Sequence, residues 1–183
     1  MSRKTRSCRV LIHKNVEAAL LTAALLGSTS IFPARAQTTQ PHPATMGAST
    51  MAQDEAAIRA ALASYNAALN GGDTSDVLLL YDQDGICMAP FSPSSIGQAA
   101  LRKAYDGFFL ELKFNVKFDI NEVVVMAPDW AFVRTNSAGT TLHHSTGKTV
   151  SEANQELFVM HKGADGRWRI ARYSFSPTNP PSA

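Results

Sequence analysis

The sequence pairs two histidines, His143-His144, and a histidine pair is a natural first place to look for a metal. Adjacent residues on a strand project to opposite faces, so the two imidazoles cannot easily share one ion. No metal and no cofactor is expected. The chain also lacks a G-x-S-x-G nucleophile elbow, a G-x-x-x-x-G-K-[ST] loop, a G-x-G-x-x-G turn and an H-E-x-x-H pair. Hydrolase, nucleotide-binding and zincin chemistries lose their strongest signatures. What remains is phenol and carboxyl chemistry. Tyr65 and Tyr105 stand at apolar positions of helical patterns, where a phenol either polarises a ligand oxygen or is a core residue with its hydroxyl satisfied internally.

The elements that would position these groups follow from apolar spacing. Thr50-Met51-Ala52-Gln53 has capping-box spacing, and Ile58, Leu62, Tyr65 and Leu69 recur at i, i+4, i+7 and i+11 before Asn70-Gly71-Gly72. This predicts a first amphipathic helix with a glycine stop. Asp73 to Asp82 predicts a short second helix capped by Asp73 or Ser75 with Gly85 beyond its end. A third is predicted from Ser95, in a Ser-x-x-Gln98 box, through Leu101, Tyr105, Phe108 and Leu112. Ile86 to Ala89 reads as a short strand ended by Pro90. From Phe114 the period becomes two, with Phe114, Val116, Phe118 and Ile120 alternating with polar residues. Turn signals then delimit strands over 130–136, 150–161 and 167–175. Helices first and strands last is the α+β pattern: three helices on a curved antiparallel sheet that leaves a cavity between the layers.

Composition sets the limits. The 183 residues are 45% hydrophobic and 17% charged, which allows a packed core. Residues 1–14 carry five bases and no acid, an Ala/Leu-rich run follows from Ala18 to Phe32, and Ala34-Arg35-Ala36 places small residues at the positions a signal peptidase reads. Residues 1–36 are therefore expected to be a signal peptide cleaved between Ala36 and Gln37, giving a periplasmic or secreted protein; a retained signal anchor is the competing reading. The apolar stretch is shorter than the ~20 residues a membrane-spanning helix needs. Residues 1–36 hold six of the 17 Lys+Arg and one of the 15 Asp+Glu, leaving 11 bases, 14 acids and a net charge of −3. The slight basicity of the whole chain thus belongs to the leader, and neither nucleic acid nor, after cleavage, a membrane is an expected partner. Cys8 leaves with the leader, so Cys87 is the one thiol and is expected to be buried and inert. Residues 37–50 read as a flexible linker, 51–178 as the folded domain and 179–183 as a tail.

Several strings carry a resemblance. Tyr65 to Asp73 (YNAALNGGD), the following LLLYDQDGICMAPF, the Ile96-Gly97 entry to the third helix and the ending ELFVMHKGADGRWRIARYSF resemble the nuclear transport factor 2-like superfamily. That superfamily includes ketosteroid isomerase, scytalone dehydratase, limonene epoxide hydrolase and the SnoaL-like polyketide cyclases. The resemblance implies a cystatin-like α+β cone enclosing a pocket, and a homodimer. Matched residue by residue to ketosteroid isomerase, Tyr65 falls on the oxyanion-hole tyrosine and Tyr81 and Tyr105 on two further pocket tyrosines. Ala89 falls where that enzyme has its general-base aspartate, and Phe158 where it has its protonated oxyanion-hole aspartate. A methyl group accepts no proton and a phenyl ring donates no hydrogen bond, each loss being worth ~10²- to 10⁴-fold in rate.

If Phe158 faces the pocket, strand parity puts Asn154, Glu156 and Met160 on the same face. Glu156 is then the candidate replacement acid or base, its alternative being an ion pair with Arg134 or Arg172. Three functions stay open at this point. The first is a noncatalytic pocket for a small apolar molecule, and the second a cofactor-independent lyase, isomerase or cyclase using Tyr65 and Glu156. The third is a homodimeric association module. N-terminal sequencing of the exported protein is expected to read from Gln37; a mature chain starting at Met1 would remove the cleavage.

Overall fold

The computed structural model describes residues 43–179, with side chains from Thr50 onward. The leader at 1–36, the first part of the linker and all but the first residue of the tail at 179–183 lie outside the described residues. Helix α1 spans Pro43–Gly71, α2 Thr74–Leu78 and α3 Gly97–Glu111. The strands are β1 Tyr81–Met88, β2 Ser95–Ile96, β3 Leu112–Ala127, β4 Trp130–His143, β5 Lys148–Lys162 and β6 Trp168–Pro177. They form one six-stranded sheet in the order β2-β1-β6-β5-β4-β3. Among the described residues no helix is long and apolar enough to cross a membrane.

The apolar stripe of α1 is buried as its spacing requires, with Ile58, Leu62, Tyr65 and Leu69 all in the core. The helix starts at Pro43, so 43–50 is helical and not the flexible linker expected from its composition. Proline at the first helical position lacks an N–H that would have no partner there, and the Ala residues that follow favour the helix. At the other end Gly72 takes φ 72°, and its N–H and that of Asp73 reach back to Leu69 and Ala68 oxygens at 3.3 and 3.4 Å. This glycine stop delivers Asp73 as the cap of α2, whose carboxylate accepts from Ser75 and Asp76 N–H groups.

Three local expectations give way to tertiary pairing. The second helix ends at Leu78 and not at Asp82, because Tyr81 enters β1 and Leu80 O accepts from Ile170 N at 2.7 Å. The Ser95 capping box does not form. Ser95 pairs with Cys87 in β2, the cap position is Ile96 without a side-chain bond, and Gln98 donates to Asp82 O at 2.9 Å. The sheet is mixed, since β1 runs parallel to β6 while every other neighbouring pair is antiparallel.

Two contacts set α1 on the concave face. Asn70 donates to Val116 O at 2.8 Å and accepts from Val116 N at 3.0 Å, and Asn66 also donates to Val116 O at 2.8 Å. Both amides thus satisfy the free edge of β3, the terminal strand of the sheet. Farther back along the helix Asp54 accepts from Trp168 Nε1 at 3.1 Å and pairs with Lys162 Nζ at 2.5 Å, tying α1 to β5 and β6. Burial pushes the Asp54 carboxyl up, but its bonds to Lys162 and Trp168 outweigh that and hold it below its ordinary value.

Opposite Val116 stands Gly139 of β4. A Cβ there would overlap the Asn115 carbonyl oxygen and press on Val116 Cα, both backbone atoms with no freedom to rotate away. Gly139→Ala is therefore expected to destabilise the domain by roughly 1–3 kcal/mol, the range for overpacking, read as a lowered denaturation midpoint. An unchanged midpoint would show that β3 and β4 can separate there without cost.

Candidate functional site

The site begins with three phenols. Tyr65 of α1, Tyr81 of β1 and Tyr105 of α3 are each at most 2% exposed. Their hydroxyls form a chain with Tyr105 in the middle, 2.7 Å from Tyr65 and 2.9 Å from Tyr81. Two hydrogen bonds use two of the three protons, so one O–H is left to donate outside the trio. Burial pushes all three hydroxyls well up, and mutual repulsion among them adds to this for Tyr81 and Tyr105. They stay protonated and act as donors rather than bases. Cys87 lies beside them, buried, with its thiol also pushed up by burial.

A second, polar group arises from strand pairing. Thr135, Ser137 and Thr141 share the inward face of β4, and Glu152, Asn154 and Glu156 that of β5. Asn154 Nδ2 donates to Glu152 Oε1 at 3.1 Å and to Ser137 Oγ at 3.4 Å, and Thr141 Oγ1 donates to Glu152 Oε2. Thr135 Oγ1 donates to Glu156 Oε2 at 2.5 Å, while Glu156 Oε1 is buried without a hydrogen-bond partner. Burial pushes the Glu156 carboxyl up; the Ser137 and Thr135 hydroxyls pull it back in part, and Glu152 repels its charged form. The two arginines that could have paired with it are turned elsewhere, Arg134 to Glu122 at 2.6 Å and Arg172 to Asp84 at 3.7 Å.

Between these groups lies a cavity of about 110 Å³. That is an order of magnitude above the ~10–15 Å³ one water needs. Half of the residues lining it are aromatic, and its polar wall is Ser137, Glu152 and Asn154. Of the residues singled out from sequence, Tyr65, Tyr105 and Asn154 line this cavity. Tyr81 stands behind it, joined through Tyr105. Phe158 and Met160 are fully buried core residues, Phe158 stacked on Tyr173 with ring centroids 4.3 Å apart. Ala89 borders an adjoining surface cleft between the β1–β2 loop and α3, which shares Cys87 and Phe108 with the cavity. Glu156 shares the inward face, but the carboxylate at the cavity wall is Glu152. Glu152 was within reach of the same parity argument, two residues before Asn154.

The SnoaL-like domain model matches residues 62–172, which takes in everything from the middle of α1 to β6. The chain belongs to the SnoaL-like family. A ketosteroid isomerase-like protein from Erwinia carotovora atroseptica is 38% identical over 68% of this chain and 96% of its own, with a TM-score of 0.66. An NTF2-like protein with a cystatin-like fold from Novosphingobium aromaticivorans is 18% identical over 78% and 94%, with a TM-score of 0.59. A cystatin-like domain from Nostoc punctiforme is 16% identical over 70% and 80%, with a TM-score of 0.57. The last two bear on fold alone. No curated protein matches the sequence.

Within this SnoaL-like fold, the orphaned Glu156 has a consequence for pH. Its ordinary value is 4.5 and burial raises it in the folded state, so the folded protein holds this proton to higher pH than the unfolded chain. Stability contributed by the neutral acid is lost as pH rises above 4.5 and through the raised folded value. Glu156→Gln keeps the shape and the Thr135 bond but cannot ionise. The variant is expected to gain stability relative to wild type as pH rises from 4.5 to neutral, measured by urea midpoints. Parallel pH profiles would mean that Glu156 ionises at no cost.

Proposed function

We propose that this SnoaL-like protein is an exported homodimer that binds a small, largely apolar molecule in the Tyr65 cavity and does not perform ketosteroid-type isomerisation. The observation that carries this reading is the lining. Half of the lining residues are aromatic, and a few polar groups at one wall would fix orientation, the usual composition of a small-molecule site. The positions that correspond to the isomerase carboxyls hold Ala89, which is outside the cavity, and Phe158, which is packed against Tyr173. Export rests on the leader pattern of residues 1–36. Dimerisation is supported by the convex sheet face, where Trp130 and Leu157 are 37% and 45% exposed. A second copy is the occupant that the resemblance implies.

A cofactor-independent lyase, isomerase or cyclase is the second reading, and one observation favours it. A buried carboxyl with a raised pKa and an unpartnered oxygen is suited to move protons, and Glu156 has both. In that case Glu156 would exchange protons with the cavity and Tyr65 would polarise a ligand oxygen.

Extraction of the purified protein followed by mass spectrometry is expected to yield a small apolar molecule. The cavity-filling variant Leu112→Trp is expected to lose it. Equal recovery from both proteins would remove the cavity from the binding reading. A Glu156→Gln variant with unchanged turnover on the compound so identified would exclude Glu156 from any catalysis.

A further inference from the structure

We propose that the Tyr65 cavity takes an organic ammonium, a small apolar molecule that carries a protonated or quaternary nitrogen. The inference rests on the binding reading above and adds the charge of the ligand's head group.

Three features of the lining point the same way. The first is the ring density: Tyr65 meets Phe118 and Tyr173 edge-on at centroid distances of 5.8 and 5.6 Å, and Phe114 and Phe175 extend the aromatic wall. Aromatic faces carry negative potential, and a cation removed from water is attracted to them. The second is charge. Glu152 is the charged residue type at the wall, and among the described residues no Lys, Arg or His lines the cavity. An anionic ligand would meet Glu152 with no compensating base, whereas an ammonium would meet an opposite charge.

The third feature is the commitment of the donors. Both protons of the Asn154 amide are directed inward, one to Glu152 and one to Ser137. Thr141 and Thr135 spend their hydroxyl protons on Glu152 and Glu156. The tyrosine trio retains one free O–H. What the polar wall presents is therefore mostly acceptors: carboxylate lone pairs on Glu152 and the Asn154 oxygen. Acceptors and ring faces together suit a cation, whereas an anion would find a tyrosine O–H but no base. Glu152 is also held in place, since each of its oxygens already accepts one bond and keeps a lone pair free.

The test compares three probes of similar size by calorimetric titration of the purified full chain: phenyltrimethylammonium, its neutral isostere tert-butylbenzene, and benzoate. Phenyltrimethylammonium is expected to bind about tenfold more tightly than tert-butylbenzene, with benzoate weakest. Glu152→Gln is expected to close the gap between the first two while leaving tert-butylbenzene unchanged. Phe114→Leu, which leaves both carboxyls untouched, reaches the same question by a second route if Glu152→Gln folds poorly. It should weaken the ammonium more than the isostere. Equal affinities for ammonium and isostere, or tighter benzoate, would overturn the ammonium inference and leave the apolar-pocket reading standing. Binding of none of the three would overturn both.

Discussion

The peptide of Val116 is held from two directions, and the rest of the site depends on it. At the free edge of β3 the amides of Asn66 and Asn70 take its carbonyl and its N–H. From the neighbouring strand Gly139 lets β4 approach where any side chain would collide. The amide bonds are directional, so they fix both the height of α1 above the sheet and its rotation. Tyr65 lies on the same helix, one residue before Asn66, and its ring is aimed at Phe118, Phe158 and Tyr173 by that rotation.

The interior contains two kinds of polar group with opposite accounts. The tyrosine hydroxyls satisfy one another in a chain that leaves one proton over, so their burial costs little and their protons stay in place. Glu156 is half satisfied: Thr135 serves one oxygen, and the other has nothing. An unmet buried acceptor destabilises a fold by ~1–3 kcal/mol. Its place between the polar Asn154 and the apolar Phe158 and Met160 on the inward face of β5 marks where this wall turns from polar pocket to plain core.

The apolar stripe of α1 was legible because a 3.6-residue period is a strong signal, and so was the inward face of β5, because parity is absolute once one residue is oriented. The start of β1 was not. Tyr81 follows Val77-Leu78-Leu79-Leu80 in a run that suits helix and strand alike, and only the distant Ile170 decides between them. The Ser95 box failed for the same reason: a local cap competed with a strand partner, Cys87, and lost. Glu152 was overlooked because polar residues near a strand end read as solvent-exposed when the curvature that turns that end inward is unknown. The separation of Ala89 from the cavity lay beyond any one-dimensional match, since it depends on where the β1–β2 connection leads.

The parallel pairing of β1 with β6 places the last of the described strands in the interior of the sheet, between the second-outermost strand on one side and the β3–β5 meander on the other. Until β6 is present, β1 and β2 have no connection to the remaining strands, and the two halves expose the edges that later join. Assembly is therefore back-loaded: a polypeptide delivered from its amino end has an incomplete sheet until β6 emerges. Helix α1, made well before β5 and β6, has to wait for Lys162 and then Trp168 before Asp54 finds its partners. The vulnerable interval of this molecule is thus set by the order of its strands, and an unpaired central gap is the feature a holding chaperone would meet.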